Sequence, residues 1–192
     1  MFLFVKKLVF GLVVGTQLNF SLILPINKKF DPMNLDDKHR VAKSITPISQ
    51  ERILNILCSS HKMKHGRLPS ANRLALSWAQ VALENNRGKK VWNNNLGNQG
   101  PFRMDQEYYH HLRGGWPYRS FKTLEESGIS YWSVLEKCSR ALRAFDDGDV
   151  DEAVKSLKRC NYFSSDTAQY TLSIRSLYYE AKSKFNISKF CG

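Results

Sequence analysis

Residues 70–88 read SANRLALSWAQVALENNRG, and this stretch decides the fold. Leu74, Trp78, Val81 and Ala82 fall at i, i+4, i+7 and i+8, the spacing of one face of an α-helix. Ser70 is the expected N-cap, because its hydroxyl can accept from an amide that the first turn leaves unbonded. Asn85, Asn86, Arg87 and Gly88 form the expected stop, since Gly and Asn tolerate the left-handed conformation that ends many helices. Ser77, Gln80 and Glu84 fall at i, i+3 and i+7, on a stripe flanking the apolar face. Glu84 is therefore expected on the last turn, beside the core and not opposite it.

Upstream, Thr46-Pro47 offers an N-cap followed by proline at the first helical position, and Ile53, Leu54 and Leu57 continue as an apolar stripe. Residues 26–45 are polar and charged, and read as a linker or N-terminal arm. Downstream, residues 85–120 lack helical periodicity and contain five glycines from Gly88 to Gly115 with Pro101 and Pro117. Long irregular segments inside compact domains tend to be functional. This one is also aromatic, with Trp92, Phe102, Tyr108, Tyr109, Trp116 and Tyr118, and short strands would fit it. Thr123 with Glu126 makes a capping box, and Ile129, Trp132, Leu135, Cys138, Leu142 and Phe145 predict one helix running to Gly148. Asp149 with Glu152 opens a second, and Ser165 or Asp166 opens a last one carrying Tyr170, Ile174, Leu177, Tyr178, Ala181 and Phe185. The expectation is a mainly α, lysozyme-like helical domain over residues 46–192, with an irregular, short-stranded lobe after the second helix.

The chain has 192 residues, of which 42% are hydrophobic and 12% aromatic, enough for one packed core and too many for a disordered chain. Eleven Gly and six Pro exclude a collagenous chain. The net charge of +12 suits an anionic polymer, but the basic residues are scattered and no nucleic-acid reading motif occurs, so no nucleic-acid partner is expected. Residues 1–25 carry Lys6 and Lys7 ahead of a short apolar run that Thr16, Gln17 and Asn19 interrupt. That pattern predicts a secretory signal and an exported protein, periplasmic, wall-bound or secreted. A membrane anchor formed by residues 8–25 is the alternative. An exported chain permits disulfides, and four cysteines allow three pairings. Cys138 and Cys160, near facing ends of two expected helices, are the favoured pair. The cysteine spacing lacks paired C-x-x-C ligands, and His61 and His65 read as surface residues, so no metal and no cofactor is expected.

A carboxyl at a helix end beside apolar groups loses solvation, and desolvation raises its pKa. A raised carboxyl can protonate a glycosidic oxygen as a general acid. Glu84 followed by an aromatic, amide-rich lobe with Asn93, Asn94, Asn95, Asn98 and Gln99 has the composition of a lysozyme-like cleft. A solvated glutamate is the ordinary alternative at such a position.

The segment Ala79-Gln80-Val81-Ala82-Leu83-Glu84-Asn85 resembles the A-Q-A-A-L-E-S helix of the glucosaminidase family, glycoside hydrolase family 73. Asn94-Asn95-Leu96 resembles the family's N-N-L-F-G-I-K segment, and residues 118–127, YRSFKTLEES, resemble F-R-x-Y-x-S-x-E-E-S. The three occur in family order within residues 74–135. Phe121 stands where the family pattern has Tyr, and Gly97-Asn98 replaces its F-G-I-K ending, so the resemblance is to a divergent member. It implies cleavage of β-1,4 bonds in peptidoglycan or a related N-acetylglucosamine-containing glycan, with Glu84 as proton donor. Asp105 and Glu107 are candidates for a second carboxylate, with Glu107 preferred for its neighbours Tyr108 and Tyr109; solvated loop acids are the alternative for both. Gln80, Trp92, Asn95, Trp116 and Tyr118 are the expected substrate contacts. A non-catalytic wall-binding or scaffold protein on a decayed glucosaminidase fold is the competing expectation, motivated by Phe121 and the altered segment 95–99.

Overall fold

The computed structural model describes residues 31–112 and 115–191. The expected signal or anchor, residues 1–25, lies outside them. The protein is mainly α-helical. Its elements are α1 (Gln50–His65), α2 (Ala71–Asn85), β1 (Tyr108–His110), β2 (Pro117–Arg119), α3 (Leu124–Glu136), α4 (Ser139–Asp147), α5 (Val150–Arg159), α6 (Thr167–Lys184) and α7 (Ile187–Phe190). No helix among the described residues is long and apolar enough to cross a membrane.

Helix α2 lies at the centre. Ser70 caps it by accepting from the Arg73 amide at 3.1 Å, and Asn86 ends it in the left-handed region. It packs against α1, α4, α6 and α7. Its burial therefore goes around the axis and is not confined to one face. Leu74, Trp78 and Val81 are fully buried, and so are Ser77 and Gln80 on the flanking polar stripe. Both ends are clamped. Arg73 pairs with Asp146 at the end of α4, and Arg87 reaches Glu180 of α6 at 2.6 Å.

Helix α1 crosses α3 closely at Gly128, where an added Cβ would sit 2.5 Å from the Ser60 hydroxyl oxygen. Trp132 then packs beneath α1 and donates from Nε1 to the Leu57 carbonyl at 3.0 Å. His61, read from the sequence as a surface residue, is buried with its ring edge-on to Trp132 and its Nδ1 2.8 Å from the Arg67 carbonyl.

Three boundaries differ from expectation. Helix α1 starts at Gln50 with Ser49 as N-cap, not at Thr46. The Thr46 amide instead donates to Val91 O at 2.7 Å and the Ile48 amide to Gly88 O at 3.0 Å, which holds this strip extended. Gly88 sits at φ +86 in that contact, and a Cβ there would collide with the Ile48 carbonyl oxygen. The single helix expected up to Gly148 is two. At Cys138 the backbone leaves helical geometry (φ −112, ψ 55), and the Cys138 amide donates to Leu135 O, tightening the last turn of α3. The break turns Ala141, Ala144 and Phe145 into the core, where α4 packs on α2 and α5. Finally, residues 40–45 are not a free linker. The Val41 amide donates to Tyr108 O at 2.9 Å, Ile45 bridges Trp92, and the Asn93 side chain grips both Ala42 O and the Ser44 amide.

The disulfide is also not the favoured one. Cys58 of α1 is bonded to Cys191, just beyond α7, across 133 residues. Cys138 and Cys160 are free thiols. They lie beside one another, and burial first, then the neighbouring Cys160 thiol, pushes the Cys138 thiol above its ordinary range.

Candidate active site

The lobe between α2 and α3 is built by asparagines. Asn86, Asn93, Asn94 and Asn98 adopt positive φ, which Asn tolerates better than other side-chain-bearing residues. Their amides then staple the chain. Asn94 donates to Phe121 O at 3.0 Å, and Asn85 joins Leu96 O to the Gly88 amide. Asn95 is fully buried; it donates to Gln99 O and Arg119 O and accepts from the Gln99 amide. Its expected role as a substrate contact gives way to this one, because its amide is spent on three backbone groups. The short hairpin closes the lobe, with Tyr108 opposite Arg119, Tyr109 opposite Tyr118 and His110 opposite Pro117.

Glu84 sits on the last turn of α2 and is partly buried. Because α2 is enclosed all round, its polar stripe points into the protein, and the carboxyl follows it. Asn98 donates from Nδ2 to Glu84 Oε2 at 3.1 Å and to the Glu84 carbonyl at 2.8 Å. Burial pushes the Glu84 pKa well above the carboxylate range, and the Asn98 bond opposes this only in part. A Glu84 charge would in turn raise the hydroxyls of Tyr131, Tyr162 and Tyr170, all of which burial has already raised. Gln80, one turn earlier, accepts from Tyr131 Oη at 2.6 Å and is fully buried. It is a structural strut to Tyr131, not the substrate contact expected. Asn98 belongs to the amide-rich lobe that the sequence marked beside Glu84, whereas Tyr131 and Tyr170 were not singled out for the site. Tyr170 reads as helical core, Tyr131 falls outside the apolar stripe read for its helix, and nothing local in the sequence marks either as a neighbour of Glu84.

The expected aromatic contacts pack against other groups of the lobe. Tyr118 is buried, with its ring 5.8 Å from Tyr109 and 4.6 Å from His111. Trp92 is partly exposed, with His111 at one edge and the Lys43 ammonium 3.9 Å from its ring centre. Trp116 is partly buried against Gly100, where a Cβ would meet its Nε1 at 3.0 Å.

Asp105 and Glu107 are exposed, and Asp105 pairs with Arg103 at 3.1 Å. Both line a groove of about 630 Å³ shared with Arg119, Phe102 and Phe121, and Glu84 does not line it. The two regions are joined through consecutive residues. Asn98 holds Glu84, while Gln99 accepts from the Arg119 amide at 2.8 Å and from Ser130 Oγ at 2.6 Å. No group of three metal-ligating side chains occurs among the described residues.

Burial lowers the pKa of His61 and of His111 from 6.5 to about 4. The unfolded chain therefore takes up two protons that the folded one refuses between those pH values. Stability from this source is complete above pH 6.5 and declines as pH falls towards 4. Thermal unfolding followed from pH 7.5 to 4.5 should show His111→Phe losing less stability than wild type as pH falls, the Glu84 carboxyl contributing in the opposite sense in both proteins. An unchanged slope in the variant would show that His111 titrates normally.

Comparison of the chain with protein-family models, with curated proteins and with solved structures gives no match.

Proposed function

We propose that the protein is an exported glycosidase that hydrolyses β-1,4 glycosidic bonds of peptidoglycan, as an N-acetylglucosaminidase or muramidase, with Glu84 as general acid. The observation that carries this reading is the desolvated Glu84 carboxyl, whose pKa burial pushes well above the usual carboxylate range. A protonated carboxyl of that kind can hand its proton to a leaving glycosidic oxygen. Asn98 fixes one carboxyl oxygen, so the acid is oriented as well as tuned. The resemblance of residues 79–85, 94–96 and 118–127 to the glucosaminidase motifs supports the same substrate class.

The purified protein, incubated with insoluble peptidoglycan, is expected to release soluble muropeptides carrying reducing ends, read by mass spectrometry. Anhydro ends would replace hydrolysis with a transglycosylase reaction. Retention on the wall with no release would favour a non-catalytic wall-binding scaffold. That second reading draws on one finding: Gln80 and Asn95, both expected at the substrate, are buried and bonded internally.

A further inference from the structure

The groove beside the hairpin contains a cation, Arg119, that makes no direct ion pair among the described residues. Arg119 ends β2 and is partly buried. Its guanidinium carbon lies 4.3 Å from the Phe121 ring centre and 5.1 Å from that of Phe102. One terminal nitrogen donates to Ser130 Oγ at 3.0 Å, and Ser130 is itself anchored on Gln99. Among the described residues Arg119 makes no salt bridge. Of the acids that line the groove, Asp105 pairs with Arg103, Glu126 accepts from the Lys122 amide at 3.1 Å, and neither these two nor Glu107 forms a salt bridge with Arg119. Desolvation, then the neighbouring Arg103 charge, pulls the Arg119 pKa down, and the Glu126 and Asp105 carboxylates oppose this only in part.

The planar guanidinium, with both rings beside it, carries its fork of donors in one plane, the geometry that receives a carboxylate through two parallel bonds. The rest of the groove is amphipathic. Phe102 and Ile129 offer apolar contact, while Glu107, Ser120 and Ser133 offer polar groups that can meet hydroxyls. A pyranose has that same division between apolar face and hydroxylated edge.

We propose that this groove is a binding site for a carboxylate-bearing pyranose, with Arg119 receiving the carboxylate and Phe102 the apolar face of the ring. The choice of a sugar rests on the glycan reading above; the carboxylate preference rests on Arg119 alone. It makes the groove a subsite for an acidic sugar, separate from the Glu84 acid and coupled to it through Asn98 and Gln99.

The test uses N-acetylmuramic acid, its methyl ester, N-acetylglucosamine and lactate, titrated into the full chain by NMR. N-acetylmuramic acid should bind at least about tenfold more tightly than the ester, the uncharged sugar or lactate, shifting the Arg119 guanidinium resonance. Arg119→Lys should abolish the preference for acid over ester, because a point charge lacks the fork. Ser133→Tyr, which fills the groove and leaves Arg119 in place, should abolish binding without lowering the melting temperature. Equal binding of acid and ester, or no binding by folded wild type, overturns the proposal. Lactate binding as tightly as the sugar acid overturns its sugar half. Binding without wall cleavage would leave the groove standing and remove the role of Glu84; cleavage without binding would do the reverse.

Discussion

Glu84→Gln is expected to lose glycan cleavage by about 10²–10⁴-fold, the usual contribution of a general acid, and to gain thermal stability at pH 8. The two effects share a cause. The Glu84 carboxyl is desolvated on the inward stripe of α2, so ionising it in the folded state is unfavourable. The sign follows from linkage. A carboxyl whose folded pKa is raised contributes stability below pH 4.5 and loses it as pH rises through the folded value. Glutamine keeps the shape and the acceptor for Asn98 but carries no charge. Wild type and variant should therefore melt together at pH 4 and separate at pH 8, with the variant the more stable. Coincident melting curves across that range would mean that the carboxyl is solvated and unsuited to act as an acid. Full cleavage by a variant that does show the stability gain would place the proton donor elsewhere.

Breaking the Cys58–Cys191 bond is expected to destabilise the protein by about 2–5 kcal/mol, the upper figure coming from the chain entropy of so long a loop. For a chain of this size that is a fall in melting temperature of roughly 10 °C. The bond ties α1 to the short α7, which also packs on α2, so its loss frees the end of the chain from the central helix. Reductant and Cys58→Ser should act alike. The denatured, unreduced protein should present two titratable thiols, those of Cys138 and Cys160. Four thiols would show that the bond does not form in solution.

Much of the helical frame was readable because caps and apolar spacing are local signals. Ser70, Thr123, Asp149 and Asp166 each accept from an amide of their own first turn. The break at Cys138 had no such signal: no Gly or Pro marks it, and it exists because α4 must turn to reach α2 and α5. Of the candidate site, Glu84 was legible from its place on a helix face. The direction of that face was not, since enclosure of α2 by four helices is a tertiary fact. Gln80 and Asn95 were misread for one reason. A polar side chain on a core-flanking stripe or in a loop can serve a ligand or the protein's own polar groups, and here both are fully used internally. The disulfide was missed because it joins segments remote in sequence.

The asparagine staples give the two halves of the molecule different responses to cold. The helical half rests on water-averse contacts, whose strength declines on cooling. The lobe from 85 to 99 is pinned by amide side chains to carbonyls, a kind of attachment without that decline. Cooling is therefore expected to weaken the bundle's contacts more than the staples around Asn98.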